Sequence, residues 1–209
     1  MIACDSRMGM PAISSLATRI INAFRPTYLV TLGIAAGIAG DANIGDILIT
    51  EYSWDYGSGK SELIEGKEVF RPYINQLKLD ESLRIKFIQY KSKTDILNKI
   101  REEYPTPEDS MLKLHVGPFA SGAAVISNDK FVDELKEKHK KIIGFDMEVY
   151  GVYCAAESFP DGMKPKVIAI KSVSDFGNSN KGNPLKKHHQ AYAAYTSSEF
   201  FKVFTQNEI

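Results

Sequence analysis

The sequence predicts an α/β fold with three layers, in which a mixed, mostly parallel central sheet is flanked by helices. Stretches with apolar residues at helical spacing alternate along the chain with short apolar runs of strand-forming residues, a pattern typical of such sheets. Of the 209 residues, 44% are hydrophobic, so the chain can bury a substantial core. No internal repeat, low-complexity tract or linker interrupts the pattern. We therefore expect a single domain over residues 1–209.

The N-terminal half of the chain begins this alternation. Residues 11–24 carry apolar side chains at helical spacing and predict an amphipathic helix. Tyr28–Leu32 predicts a buried strand that enters a loop of small residues, Gly33–Gly40, and Ile47–Tyr52 predicts the next strand. Residues 61–74 are compatible with either a hairpin or a loop.

The C-terminal half continues the alternation. Its predicted elements are one helix or two over residues 80–103, a strand at Lys113–Pro118, a helix at Asp129–His139, a helix at Tyr150–Ala156, a strand at Val167–Val173 and a final helix from Tyr192 to Phe204. The strand at Val167–Val173 has the strongest signal in the chain. Lysines flank His139 and the pair His188–His189, so we expect these histidines to be solvated.

Composition excludes several classes of partner. The 26 basic and 26 acidic residues leave no net charge, which argues against nucleic acid and against an anionic membrane surface. No segment resembles a signal peptide or a membrane helix, so we expect a soluble, cytoplasmic protein. Cys4, Cys154 and the four histidines lack the spacing of metal ligands, so we expect no metal. A small, weakly charged molecule is the expected partner.

Four segments follow predicted strands, and ligands of open α/β sheets bind at the carboxyl ends of strands. They are Gly33–Gly40, Ser121–Ile126, Phe145–Glu148 and Ser174–Gly177. Small residues in the first let backbone amides approach a ligand, and apolar residues in the second can hold a flat base. Each of these two segments is equally compatible with a loop that only packs on the core.

Two carboxylates among these segments are candidates for chemistry. Glu148 can accept hydrogen bonds from the vicinal diol of a sugar, or it can cap the helix that follows. Asp175 ends the strongest strand, a position that suits proton donation, although a lone Asp there more often caps the next element. The residues alone leave both alternatives open.

In this order, the four segments resemble the superfamily of purine nucleoside phosphorylases, uridine phosphorylases and methylthioadenosine/S-adenosylhomocysteine nucleosidases. The Gly-Ser-Ala-Gly-Gly loop and Gly-Asp turn of that family correspond to Gly33–Gly37 and Gly45–Asp46. Its Glu-Met-Glu motif corresponds to Asp146–Glu148, and its Ser-Asp motif to Ser174–Asp175. The resemblance covers essentially the whole chain and implies a nucleoside phosphorylase-like fold.

The resemblance implies a purine nucleosidase that uses water to cleave the N-glycosidic bond of an adenosine-type nucleoside similar to methylthioadenosine or S-adenosylhomocysteine. Asp175, next to Ser174, then corresponds to the catalytic acid at purine N7, and we expect it to be partly desolvated and to hold its proton near neutral pH. The implied substrate-binding residues are Met8 near the 5′ end, Ala35 and Ala36 beneath the sugar, Val125 and Ile126 at the base, and Asp146, Met147 and Glu148 at the ribose. The resemblance further implies that this chain needs no cofactor and that it forms a homodimer or a higher homo-oligomer.

The sequence departs from the family pattern in two places. Phosphorylases hold phosphate with a Ser or Thr in the glycine-rich loop and an Arg before it, where this chain has Ile34 and Thr31. This favours hydrolysis over phosphorolysis with inorganic phosphate, which stays an alternative beside a non-catalytic nucleoside- or nucleotide-sensing domain. Family members also begin with a strand bearing a Gly-x-Met-x-x-Glu segment. No residue before Met8 matches that Glu, so we expect an N-terminally truncated domain.

Two further segments, Trp54–Lys60 and Tyr192–Ser197, bear a weaker resemblance to a sub-branch that is attached to signalling or defence modules. That resemblance implies a nucleotide substrate such as ATP. Lys60 is a candidate for contact with phosphate, but an exposed, solvated lysine is the favoured interpretation.

Overall fold

The computed structural model describes residues 1–73, 75–124, 126, 128–177 and 184–209. In chain order its elements are α1 (Met10–Phe24), β1 (Tyr28–Gly37), β2 (Ile47–Asp55), β3 (Gly59–Ile64), β4 (Lys67–Pro72), β5 (Leu77–Lys78), α2 (Glu81–Tyr90), α3 (Thr94–Glu102), β6 (Leu114–Ser121), α4 (Asp129–Lys138), β7 (Gly144–Asp146), α5 (Val149–Glu157), β8 (Lys166–Asp175) and α6 (Lys186–Glu208).

Six of these strands form one mixed sheet in the order β5-β2-β6-β7-β1-β8. The two longest pairings, β1 with β8 and β2 with β6, are parallel, whereas β1 with β7 and β2 with β5 are antiparallel. The second edge of β8 pairs with β2, with Ile47 opposite Ser172, so the sheet curls and closes on itself. The predicted α/β fold with a mixed sheet and flanking helices is confirmed. The sequence did not predict the closure.

Helices cover the sheet on two sides, each with its own hydrophobic cluster. On one side, Ile21 of α1 and Val152 of α5 pack with Leu48 of β2. On the other side α2, α3 and α6 pack together, and the rings of Phe87 and Phe204 stack with their centroids 4.1 Å apart. Burial of both helix layers explains why the sheet strands are apolar on both faces.

Strand β1 is longer than predicted, because the expected loop at Gly33–Gly37 continues the strand. Gly33 pairs with Lys171 of β8, and Gly37 pairs with Gly144 of β7. A Cβ atom at Gly37 would lie 2.8 Å from a methyl carbon of Val173. The small residues of this segment therefore allow close packing within the sheet.

Two other segments of ambiguous prediction are resolved by the fold. The segment 61–74 contains most of an exposed hairpin, β3 with β4, whose register places Ser61 opposite Phe70. The predicted helical region 80–103 divides into α2 and α3, and the Asp80 side chain caps α2 by accepting the backbone N–H groups of Ser82 and Leu83.

The expectation that three histidines are solvated is wrong. His139 is half-buried, and its ring lies 4.4 Å from that of Trp54. His188 and His189 lie in the first turn of α6, where their Nε2 atoms are 3.3 and 3.5 Å from the same oxygen of Glu108. The flanking lysines suggested solvent, but the packing of α4 and α6 against distant elements determines the burial of these rings.

Among the described residues, no helix combines the length and the apolar character needed to cross a bilayer. Within the same part of the chain, no group of three or more His, Cys, Asp and Glu side chains has a geometry that could hold a metal ion.

Candidate active site

Most of the predicted site residues, from Ala35 and Ala36 to Asp146–Glu148 and Ser174–Asp175, lie where four strands of the sheet end. Ala36 of β1 is paired with Phe145 of β7 on one side and with Asp175 of β8 on the other. Ser121, the last residue of β6, lies opposite Asp146, the last residue of β7. The strands end here as two parallel pairs, β1 with β8 and β6 with β7, and the carboxyl ends of parallel strands are the usual location of a ligand site in α/β sheets.

Asp146 organises one half of this site. Its Oδ1 atom accepts hydrogen bonds from the Ser121 hydroxyl at 2.9 Å and from the backbone N–H groups of Glu148 and Val149 at 3.0 and 3.1 Å. Its Oδ2 atom lies 3.0 Å from Nζ of Lys171. Through Oδ1 Asp146 begins α5 and orients its neighbours, while the buried Oδ2 is paired in charge with Lys171 without a hydrogen bond; the contact of Asp146 with ribose stays a prediction.

Glu148 turns its carboxylate away from the helix that it precedes. Oε1 accepts the backbone N–H of Gly9 at 3.2 Å, and Oε2 lies 3.9 Å from Nζ of Lys171. Its side chain makes no capping hydrogen bond to α5, a role that Asp146 fills instead. The carboxylate, 26% exposed, therefore faces outward at a site where a ligand can reach it.

A cavity of about 530 Å³ lies beside this carboxylate. Its wall includes Met8, Thr31 and Ile34 together with Glu148 and Lys171. Ligand cavities of proteins typically measure about 300–1,000 Å³ and combine apolar walls with a few polar groups, which is the composition found here.

Lys171 is a site residue that the sequence interpretation missed. Its side chain is only 5% exposed, although it lies in the middle of the apolar strand β8. A buried lysine requires a charged partner, so its position inside Val167–Val173 was a signal that an acidic residue lies nearby. Lys171 pairs with Asp146 and approaches Glu148, and the three side chains together carry one net negative formal charge.

The other half of the site is the end of β8. The pairing with β1 shifts here, because Ala35 lies opposite Val173 and Ala36 lies opposite Asp175, which leaves Ser174 as a bulge. The hydroxyl of the buried Ser174 lies 2.9 Å from Oδ2 of Asp175 and 3.3 Å from the carbonyl oxygen of Ala35. Oδ1 of Asp175 accepts the backbone N–H of Gly177 at 2.9 Å.

Asp175 is exposed in the structure, so the expected partial desolvation is not observed. The physical reason is its position as the last residue of β8, where the strand leaves the covered part of the sheet. The alternative that this Asp stabilises a local turn is also observed, in its bond to Gly177. Desolvation of Asp175 for proton transfer therefore requires a bound ligand that covers its carboxylate.

The remaining predicted residues divide between the two halves. Met8 is 76% exposed at the cavity wall, and Met147 is half-buried next to Glu148. Ala36 is buried and packs in one hydrophobic cluster with Phe145, against which the half-buried Ile126 also packs. Ala35 is buried one residue earlier in β1, and the predicted base contact Val125 lies outside the described residues. Neither Asp175, the last residue of β8, nor Ile126 lines the cavity.

Tyr56 is a further residue near the site that the sequence did not single out for a role. Its hydroxyl donates a hydrogen bond to the carbonyl oxygen of Ala124 at 3.1 Å, and its ring fills the space beside Gly122. Burial, with smaller effects from Asp55 and Asp146, raises the pKa of Tyr56 to about 12. The phenol therefore remains a hydrogen-bond donor near neutral pH and braces the segment that precedes Ile126.

The closed mixed sheet, the helices on both sides and the carboxylates at the strand ends define an α/β protein with a nucleoside phosphorylase-like fold. The chain belongs to the Phosphorylase superfamily, whose family model matches residues 1–205.

Comparison with individual proteins agrees with this membership. The chain is 32% identical to the uncharacterized protein y4jS of Sinorhizobium fredii over 93% of its length and 46% of that relative. It is 24% identical to the ATP nucleosidase Cap17 of Escherichia coli over 96% of its length and 41% of that relative. The chain thus spans less than half the length of these relatives.

The fold also matches solved structures. The chain superimposes with a TM-score of 0.71 on the 5′-methylthioadenosine/S-adenosylhomocysteine nucleosidase of Neisseria meningitidis, which was solved in complex with methylthio-immucillin-A. The match has 15% sequence identity and covers 96% of this chain and 78% of that structure.

Proposed function

We propose that this chain is a purine nucleosidase domain that hydrolyses the N-glycosidic bond of an adenosine-type nucleoside similar to methylthioadenosine or S-adenosylhomocysteine. The observation that carries the proposal is the outward-facing carboxylate of Glu148, held by the Gly9 N–H and near the buried Lys171, in the wall of a 530 Å³ cavity. The names of the nucleosidases that this chain resembles support the same reaction class.

In this proposal Glu148 accepts hydrogen bonds from the ribose hydroxyls, with Met147 against the sugar. Cleavage breaks the bond between C1′ and the purine nitrogen, and the electron pair leaves with the base. Asp175 donates a proton to purine N7 so that the base leaves as a neutral molecule, and water adds to C1′. The attacking water releases a proton to solvent, and Asp175 takes up a proton from solvent before the next turnover. Hydrogen bonds to the sugar that strengthen as C1′ becomes positive lower the barrier.

Asp146 and Lys171 are positioning residues in this scheme. Asp146 accepts the backbone N–H groups of Glu148 and Val149 and so fixes the start of α5. The Lys171 ammonium group lies near the carboxylates of both Asp146 and Glu148 and attracts them. This fixes the direction of the Glu148 side chain before a substrate binds.

The electrostatics of the cavity favour water over phosphate as the attacking group. Lys171 is already neutralised by Asp146 at 3.0 Å, and Glu148 adds a negative charge beside it. Thr31 and Ile34, at the positions where phosphorylases hold phosphate, line the same cavity and offer one neutral hydroxyl and one apolar side chain. Beside Glu148 and Lys171 a phosphate dianion would lack an unpaired cation and would be repelled by Glu148, and Arg7, the other cation of the cavity wall, lies 3.7 Å from the Asp5 carboxylate.

A nucleotide such as ATP is the second candidate substrate. Arg7 lines the cavity next to Met8, and both Arg7 and Arg19 approach the Asp5 carboxylate, at 3.7 and 4.0 Å. Arg7 in the cavity wall, next to the predicted 5′-end contact Met8, suits a phosphate chain. The names of the ATP nucleosidases among the relatives support this alternative.

The test is release of free base, measured by chromatography after incubation with adenosine, inosine, methylthioadenosine, S-adenosylhomocysteine or ATP, with and without inorganic phosphate. We expect release without phosphate. Release only with phosphate would identify a phosphorylase, and nucleoside binding without release would identify a sensing domain; either result would reject the proposal.

Variants connect the activity to the proposed residues. We expect Asp175→Asn to lower kcat by about 10²–10⁴-fold, because the amide cannot supply the proton. Glu148→Gln should lower kcat/KM, since it weakens the bonds to the sugar. Asp161→Asn is the matched control, because that carboxylate is fully exposed and only pairs with Lys164. Near-normal turnover by Asp175→Asn would exclude its role as the acid.

A further inference from the structure

A buried turn holds strand β8 just before the Ser174–Asp175 end. The backbone N–H of Gly45 donates to the carbonyl oxygen of Val173 at 2.8 Å, and the N–H of Val173 donates to the carbonyl oxygen of Asp46 at 3.0 Å. Val173 precedes Asp175 by two residues, and the bulge at Ser174 lies between them. This turn therefore fixes the backbone of β8 two residues before the carboxylate of Asp175.

The side chain of Asp46 holds the turn in place. Asp46 is completely buried, and its Oδ2 atom accepts the backbone N–H of Asn43 at 3.0 Å, while Oδ1 accepts the backbone N–H of Lys113 at 2.9 Å. The remaining partner is His115, whose Nε2 atom lies 2.9 Å from Oδ2. Because a carboxylate can only accept, His115 donates through Nε2–H.

His115 connects this turn to the rest of the site. It lies in β6, whose last residue, Ser121, donates to Asp146. The other side of the turn packs on α6, where the hydroxyl of Thr196 donates to the carbonyl oxygen of Gly45 at 2.9 Å. The bond from His115 to Asp46 thus links β6 to the turn that holds the Asp175 half, beside the bond that Asp46 Oδ1 accepts from the Lys113 N–H just before β6.

We propose that Asp46 and His115 form a positioning pair that directs Asp175 towards the purine ring while neither residue touches the substrate. The inference rests on the proposed nucleosidase function. Loss of the His115 donor removes one of the two donors to Oδ2 of this buried carboxylate and leaves only the Asn43 N–H there, and the turn relaxes to offset the lost bond. A displacement of about 1 Å at a catalytic group can lower a rate on the order of 100-fold, so the effect appears in turnover.

The test compares His115→Phe, which keeps a ring but has no donor, with His115→Gln, whose amide nitrogen can reach the position of Nε2. We expect His115→Phe to lower kcat for base release by about 10–100-fold with KM within about twofold of wild type, because the acid acts only as the bond breaks. His115→Gln should restore most of kcat. If His115→Phe does not fold, His115→Asn, whose shorter amide does not reach Oδ2, takes its place with the same expectation.

Leu97→Ala is the control for general destabilisation, because Leu97 is buried in α3, in the hydrophobic cluster formed with α2 and α6. It should lower the melting temperature while kcat stays near wild type. Amide hydrogen exchange of the unliganded proteins provides a readout that does not depend on activity. We expect faster exchange of the Val173 amide in His115→Phe and wild-type exchange in His115→Gln.

Each outcome decides the inference. No base release by the wild-type protein would reject the proposed function and this inference together. An active wild type with unchanged kcat in His115→Phe, an equal loss of kcat in Leu97→Ala, or unchanged exchange at Val173 would reject the inference alone. Loss of kcat in His115→Phe, rescue by Gln and faster exchange at Val173 would support it.

Discussion

Replacement of Lys171 by Met tests how strongly the buried charges stabilise the fold. The side chains of Lys171 and Asp146 are 5% and 3% exposed, and their charged atoms are 3.0 Å apart, so solvent screens them little. Removal of the cation leaves the carboxylate of Asp146 buried without its ion-pair partner. It also removes the positive charge that lies 3.9 Å from the Glu148 carboxylate. Removal of one partner of a buried pair typically costs about 3–5 kcal/mol. For a domain of this size, that corresponds to a fall in Tm of about 6–20 °C.

The assay is urea and thermal unfolding followed by circular dichroism. The double variant Lys171→Met/Asp146→Asn should recover at least half of the lost stability, because it removes both charges and keeps the Oδ1 acceptor for the Ser121 hydroxyl. Lys164→Met serves as the control, since Lys164 pairs with Glu157 and Asp161 at the surface and its loss should leave Tm near wild type. If Lys171→Met unfolded like the wild type, the buried pair would not contribute as argued.

Three further predictions concern stability alone. Burial raises the pKa of Tyr56 and Tyr192 to about 12, so the folded state keeps protons that the unfolded state loses above about pH 10. The free energy of unfolding should therefore fall as the pH rises from about 10 towards 12. Urea unfolding that gives the same free energy across that range would contradict this prediction. Gly40→Ala should lower the free energy of unfolding by about 1–2 kcal/mol, because Gly40 has a positive φ of 83°. Gly45→Ala should lower it further, because Gly45 also has a positive φ and its new Cβ would clash with the Tyr192 ring. Equal melting temperatures of the two variants would contradict the packing argument. Asp80→Ala should cost about 1 kcal/mol of stability, because it removes the cap of α2. The hydrogen bond from the Ser82 hydroxyl lowers the pKa of Asp80, so this stabilisation should be present above about pH 4 and lost as the pH falls below it. Thermal unfolding of both proteins at several pH values measures the difference.

The alternation of elements was readable from the chain because it depends on local periodicity. Residues 11–24 and Val167–Val173 predicted α1 and β8 to within a few residues. The limits of β1 were not readable, since Gly33–Gly37 has the composition of a loop and becomes a strand only through its pairing with β7 and β8. Closure of the sheet between β2 and β8 depends on two segments more than a hundred residues apart, a pairing that no local pattern encodes.

The site shows the same division. The sequence by itself brought Asp146–Glu148 and Ser174–Asp175 forward as candidates, through their positions near the ends of predicted strands and their resemblance to a family. Only the tertiary structure decided what each carboxylate does: Asp146 is used up by Ser121, by backbone N–H groups and by Lys171, whereas Glu148 faces a cavity and Asp175 is exposed. The reason is that exposure and pairing of a charge depend on neighbours that are distant in sequence, as Lys171 is from Asp146, while periodicity reports only the face on which a residue lies.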